Sequence, residues 1–186
     1  LNVYLLTSFD NFGDGEINFT QEPFWVGDQV PSFSAKWENG ALVFYEGDGS
    51  GAYFRIADTE FNGRNVEEYL INATGMGFYV ENNGLDDANI DLFLPGFKGD
   101  ASACYAFSVD TVFELVSIDG EIIEGEVASD NSVYIPSGFK GYVNFELDTL
   151  QNLWGGGTPW DPETVPFSLL GFNIKYLYLE EGETFV

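Results

Sequence analysis

The stretch TVFELVSIDGEIIEGEV (Thr111 to Val127) sets two arms of β-branched and large apolar residues around Asp119-Gly120. Asp-Gly supplies the positive backbone φ that a two-residue hairpin turn demands, and apolar side chains recur along both arms. The pair is the best two-residue turn signal in the chain, and the stretch is expected to be a β-hairpin. The same grammar recurs on either side. ALVFYEG (Ala41 to Gly47) and GAYFRIA (Gly51 to Ala57) flank DGS, a second hairpin signal. GMGFYVEN from Gly75 and ANIDLFL from Ala88 are joined by NGLDD, and SACYAFSV ends at Val109. NSVYIP, FKGYVNFEL and LLGFNIKYLYLEE follow.

These segments amount to about ten or eleven short strands separated by Gly, Asn, Asp and Pro loops. Helical patterning is confined to NVEEYLI (Asn65 to Ile71), where Val66, Tyr69 and Leu70 share a face. No repeat, low-complexity segment or linker divides the chain. The expectation is a single all-β domain over residues 1–186, an antiparallel β-sandwich of jelly-roll type.

Period-two alternation assigns faces within strands. Ala52, Phe54 and Ile56 share one face, as do Met76, Phe78 and Val80, then Ile90, Leu92 and Leu94, then Val143, Phe145 and Leu147. These sets are expected to form the core. The opposing sets mix aromatic with polar residues: Tyr53 and Arg55; Tyr79 and Glu81; Asp91 and Phe93; Tyr142, Asn144 and Glu146. Tyrosine, arginine, aspartate and asparagine on one surface suit a sugar, whose ring stacks on an aromatic face and whose hydroxyls take hydrogen bonds.

Charge and composition narrow the function further. Asp and Glu number 31 against 6 Lys and Arg, so the net charge is −25. Such a polyanion repels nucleic acid, anionic membrane and acidic polysaccharide, and it favours a neutral ligand, a cation or a basic partner. The chain has no histidine, which removes Ser-His-Asp and Cys-His nucleophile systems and the usual zinc sites. The single Cys104 lies in a core-like strand and is expected to be a small buried residue. The sequence has no apolar run of about 18 residues and so no expected membrane span. LNVYLLTSFDNF at the start has no basic n-region or cleavage pattern and is expected to be a first strand.

With VYIPSGFKGYVNFELDTL placed after the Asp-Gly hairpin, the chain resembles jelly-roll modules attached to bacterial enzymes that degrade plant polysaccharides. SFDNF is similar to the opening of family 11 carbohydrate-binding modules and their relatives. GMGFYVENN with ANIDLFL is similar to their central paired strands, and LGFNIKYLYL to a late strand. The resemblance covers most of the chain and rests on the order of the motifs.

The resemblance implies a secreted or bacterial cell-surface, non-catalytic module that binds a neutral plant cell-wall polysaccharide, β-glucan or xyloglucan. It also implies covalently linked catalytic or scaffold domains as partners in the full-length protein, and one structural calcium ion. It assigns Tyr53 as a stacking ring. It places another ring in the segment of Trp154 and Trp160, and a third in the region of Trp25 or Trp37. Such modules usually end with one more strand carrying a vDDi-like pair, and this chain stops at EEGETFV, where that strand would begin: either it has been trimmed or the edge is organised differently.

The expected ligand-binding residues are therefore Tyr53, Arg55, Tyr79, Asp91, Trp37 and Trp160. Trp154, beside the end of a core strand, is expected to pin its loop, while Trp160 contacts sugar. Asp10, Asp14 and Glu16 in FDNFGDGE are the calcium candidates, because hard carboxylate oxygens at this density suit that ion. The alternatives are a structural or adhesive β-sandwich of a bacterial surface protein, and a glycoside hydrolase or lyase. For the enzyme, Glu124 and Glu126 share a face with Glu121 opposite, but the central Asp of the jelly-roll glucanase pattern is absent.

Overall fold

A computed structural model describes residues 13–17, 34–48, 52–57, 72–98, 100–154, 161, 169–175 and 177–186. The regular secondary structure of the described residues is almost wholly antiparallel strand. The strands are β1 (Gly15–Glu16), β2 (Ser34–Glu38), β3 (Ala41–Asp48), β4 (Ala52–Ala57), β5 (Gly75–Glu81), β6 (Ala88–Lys98) and β7 (Ala101–Ala106). They continue with β8 (Phe113–Ser117), β9 (Ile122–Glu124), β10 (Val133–Ile135), β11 (Lys140–Glu146), β12 (Gln151–Asn152), β13 (Leu169–Lys175) and β14 (Tyr178–Leu179). A single turn of 3-10 helix, Leu147–Thr149, follows β11. The helical pattern at 65–71 lies outside the described residues, as do Asp10, Trp25 and Trp160.

Three sheets form two layers. One layer is the sheet β12-β7-β6-β13-β4, with β10 paired to the start of β6. The other combines β5-β11-β8-β9 with β1-β2-β3-β14. The C-terminal residues join these last two. Phe185 exchanges both backbone hydrogen bonds with Phe44 of β3 (2.8 and 2.9 Å), and Val186 exchanges both with Glu81 of β5 (2.8 Å each). EEGETFV thus lies between β3 and β5, and its last residues pair on both sides.

The core fills the space between the layers. Phe78 of β5 meets Phe172 of β13 edge-on at 5.3 Å, and Phe107 meets Phe145 of β11 at 5.1 Å. Ile90, Leu92, Leu94, Val80, Val143, Phe145 and Leu147 are buried, and Met76 and Phe78 pack against them half-buried. Alternation located this face correctly in β5, β6 and β11. Asn82 ties the layers at one side. Its amide donates to the backbone oxygens of Asp86 (2.9 Å) and Ile135 (3.0 Å) and accepts from Gly84 N–H at 3.1 Å. A buried amide is stable here because each of its polar atoms has a partner.

The turns differ from expectation in an instructive way. Asp119-Gly120 does close the β8–β9 hairpin, but as a three-residue loop. Ser117 and Glu121 are the closing pair, Gly120 N–H donates to Ser117 O at 2.9 Å, and Gly120 holds φ at +84°. The two-residue turn of the mirror-image type is Asn39-Gly40, with φ of 52° and 75°, between paired Glu38 and Ala41. The hairpin expected around DGS does not form. β3 is already paired with β2 on one edge and with β14 and Phe185 on the other, so β4 pairs β13 in the opposite layer. The segments expected as central paired strands, β5 and β6, also lie in different layers.

Candidate functional site

The expected binding residues do not share one surface: Tyr79 stands on β5 and Asp91 on β6, in opposite layers. Register aligns Tyr53 with Asn173 and Asn173 with Asp91, while Arg55 aligns with Gly171 and Gly171 with Phe93. Register thus sets Tyr53 and Asp91 in one row of the β12-β7-β6-β13-β4 sheet and Arg55 in the neighbouring one, while the side chains of Tyr53 and Arg55 lie outside the described ones; Asp91 is on the face away from the core. That face is not open along β6 and β7. Asp91 is only 6% exposed, with Asn89, Cys104 and Ala106 buried beside it. One Asp91 oxygen accepts the Leu92 N–H at 2.9 Å. A covered carboxylate is poorly placed to meet a polymer, which corrects the expectation for Asp91. Burial, with the Asp91 charge second, pushes the Cys104 thiol up to about 11, so it stays protonated at neutral pH.

Trp37 is also corrected. It faces Leu42 across the β2–β3 hairpin and its ring is buried in the core. Trp154, expected to pin its loop, is 52% exposed. Hydrogen bonds hold the chain on either side of residues 155–160. Asn152 Oδ1 accepts from Cys104 N–H and Trp154 N–H at 3.1 Å each, and the hydroxyl of buried Tyr105 accepts from Asp161 N–H at 3.2 Å.

Tyr79 lies on the other outer face, that of the β5-β11-β8-β9 sheet, and this face is open. β11 is central here, and its alternation turns Val143 and Phe145 inward and Lys140, Tyr142, Asn144 and Glu146 outward. Tyr142 faces Tyr79 directly, with ring centroids 5.2 Å apart and planes at 70°. The two are 50% and 42% exposed. Gly75 and Gly77 of β5 lie opposite Glu146 and Asn144 and keep the surface low beside the rings. A Cβ on Gly77 would collide with the Asn144 side chain, so glycine there gives the amide its place. Tyr142 was legible as an outward residue but was not selected; its pairing with Tyr79 is set by inter-strand register, which no local pattern encodes.

Polar groups surround the rings. Tyr79 donates its hydroxyl to Glu81 at 2.7 Å, and the other Glu81 oxygen meets Lys140 Nζ at 3.3 Å. The hydrogen bond to Glu81, helped by partial burial, pushes the Tyr79 hydroxyl up to about 12. The same bond holds the Glu81 carboxyl below its ordinary value. The pair therefore stabilises the fold between two limits. Its contribution fades above pH ~10, as Tyr79 approaches its raised value, and again as pH falls through the depressed value of Glu81. Glu81→Gln removes the carboxylate charge and is expected to lower the pH at which Tyr79 ionises. Tyrosinate absorbance, with Tyr79→Phe as the subtraction, measures this; an unchanged titration would show that the bond is absent in solution.

Two of the calcium candidates, Asp14 and Glu16, are engaged by protein. Asp14 accepts Asn39 N–H at 2.9 Å, and Glu16 accepts the Tyr45 hydroxyl. Among the described residues no group of three or more Asp, Glu, Cys or His could hold a metal ion, and Asp10 lies outside them. The described part of the loop offers no ligand set of its own. Glu124 and Glu126, weighed for catalysis, line one cleft of about 250 Å³ with Asp87, Tyr134, Leu115 and Pro136, where the chain passes from β9 to β10. Among the described residues no helix is long and apolar enough to cross a membrane. No family model matches this chain, and no curated protein sequence matches it.

Proposed function

We propose that this chain is a non-catalytic carbohydrate-binding domain, and that it meets a neutral plant cell-wall glucan through the open face built on Tyr79 and Tyr142. One observation carries the reading. Among the described residues, ten large apolar side chains are exposed, and five of them (Tyr79, Val112, Ile118, Ile122 and Tyr142) follow the outward parity of this one sheet. An apolar surface concentrated in this way among the described residues, on a protein with net charge −25, favours a binding surface over scattered exposure. Two tyrosines on a rigid sheet give stacking area at little cost in side-chain entropy. Glu81, Lys140, Asn144 and Glu114 supply hydrogen bonds around them, and the carboxylates repel uronic acids. In this reading the domain is a jelly-roll module, secreted or on a bacterial cell surface, that holds a linked catalytic or scaffold domain near its polysaccharide.

Affinity electrophoresis over a polysaccharide panel tests the reading. Retardation by β-glucan or xyloglucan but not by polygalacturonate is expected. The double change Tyr79→Ala, Tyr142→Ala should weaken binding by about a hundredfold, roughly tenfold per ring. Its melting temperature should fall by only a few degrees, from loss of the Tyr79–Glu81 hydrogen bond and the ring contact, because both rings are exposed and outside the core. Binding that survives the double change places the ligand elsewhere, and retardation by polygalacturonate alone overturns the neutral ligand.

A further inference from the structure

The sequence holds three Asn-Gly pairs, Asn39-Gly40, Asn62-Gly63 and Asn83-Gly84. In such a pair the glycine nitrogen, with no side chain beside it, can attack the asparagine Cγ and close a five-membered succinimide ring. Asn62-Gly63 lies outside the described residues, and the fold treats the other two pairs in opposite ways. Asn83 is half-buried, and its amide nitrogen donates to Thr184 Oγ1 at 3.0 Å and to a Glu81 oxygen at 3.4 Å. Gly84 is buried, and its N–H is given to Asn82 Oδ1 at 3.1 Å. Both reacting groups of that pair are tethered. Asn39 instead stands exposed between β2 and β3. Its backbone N–H goes to Asp14 at 2.9 Å, and among the described residues nothing holds its side-chain amide.

Turn geometry also brings Asn39 close to the ring. Closure sets its ψ near about −120°, which together with a positive φ is the first central position of a type II′ turn. Asn39 already holds φ at 52°, and Gly40 holds 75°, as in a type I′ turn. The two turn types differ by rotation of one peptide group, the one between Asn39 and Gly40, and glycine accepts either conformation. Both are two-residue hairpin turns, so Glu38 and Ala41 stay paired while that group rotates. We propose that Asn39-Gly40 is a self-modifying site, at which the Gly40 nitrogen bonds to Asn39 Cγ in the folded protein. The Cγ–Nδ2 bond breaks, and the Gly40 proton ends on the departing ammonia. Water then opens the ring at one of its two carbonyls, leaving aspartate or isoaspartate. Either product sets a carboxylate beside Glu38 and close to Asp14. Isoaspartate also routes the backbone through Cβ, an extra methylene that a two-residue turn absorbs only by unpairing Glu38 from Ala41. The bond to Asp14 is lost with the turn, and β1, paired to β2 only at Trp37 and Lys36, loosens. The inference is independent of the carbohydrate-binding reading.

Peptide mapping of the whole domain after timed incubation at mildly alkaline pH tests this. Trypsin puts each Asn-Gly pair in its own peptide, because it cuts after Lys36, Arg55, Arg64 and Lys98. In the folded domain Asn39 should convert at least about tenfold faster than Asn83, whose reaction waits on the loss of its hydrogen bonds. In denaturant those bonds are gone, and the two rates should agree within about threefold. Hydrogen exchange of the incubated domain should show faster exchange at Ala41 and at Ile17, whose N–H donates to Ala35 O in the folded protein. Asn39→Gly removes the reacting amide and keeps the positive φ, so its hairpin should hold its protection through the same incubation. Asn39→Asp adds the charge without the methylene and should keep the turn closed. If Asn39 converts no faster than Asn83 in the folded domain, or only in denaturant, the proposal is overturned. If Asn39→Gly loses hairpin protection as fast as the parent, the link between modification and opening is overturned.

Discussion

Gly141→Ala should destabilise the domain by about 3 kcal/mol, the upper part of the range for forcing a methyl group into a packed site. Gly141 is the second residue of β11, paired with Val80 on one side and Ser117 on the other. A Cβ built there collides with the backbone oxygen of Val116 and comes within 2.8 Å of Ser117 Cα. Those atoms belong to the neighbouring strand, not to the end of a flexible side chain. Relief therefore means spreading β8 from β11, at the cost of ladder hydrogen bonds on the strand that presents Tyr142. For a chain of this size the loss should appear as a fall in melting temperature of roughly 6–12 °C. Gly138→Ala is the matched comparison. It shares a positive φ, +76°, but its Cβ meets nothing within 4 Å. Its cost should be confined to backbone strain, about 1 kcal/mol. Equal melting temperatures for the two variants would show that β8 and β11 are not in contact at this point.

The collision at Gly141 also shows where local pattern stops being informative. Val143 and Phe145 could be assigned inward, and Tyr142 and Asn144 outward, because a strand's side chains alternate with period two. The strand's two neighbours carry no such signal. β11 lies between β5 and β8, dozens of residues apart in sequence, and β13 pairs with both β4 and β6. The assignment of Tyr53, Arg55, Tyr79 and Asp91 to one surface failed for that reason. Each residue was placed on the outward side of its own strand, but Tyr79 belongs to one layer and the others to the opposite layer. Outward also proved different from exposed, since Asp91 points away from the core and is still covered.

Turn chemistry was partly legible. Positive φ at Asn39, Gly40 and Gly120 follows from their residue types, yet loop length is set by where pairing stops, which separates the two-residue turn at Asn39-Gly40 from the three-residue loop at Gly120. Ile122 shows the opposite failure. In an arm such as EIIEGEV an isoleucine resembles a core residue, and only the register of β9 against β8 turns it outward beside Val116.

Phe185→Ala should cost about 4 kcal/mol, as expected for an aromatic side chain removed from a closed core. Phe185 is 2% exposed, with its ring centroid 6.4 Å from that of Phe44. The cavity is only part of the effect, because the residue occupies the seam of a layer. Its backbone completes two hydrogen bonds with β3, and Val186 beside it completes two with β5. Without the ring that anchors it, this short segment has few other buried groups to hold it between the strands, and β1-β2-β3 loses its link to the sheet that carries Tyr79. Phe145→Ala, also in the core but in the middle of β11, should cost a similar amount without that asymmetry. Amide hydrogen exchange separates the two. In Phe185→Ala the protection of Phe44, Glu81 and Val186 should fall well below that of Val143, whereas in Phe145→Ala the loss should be shared. Uniform loss of protection in both variants would mean that the C-terminal residues fill space in the core but do not join the two halves of the layer.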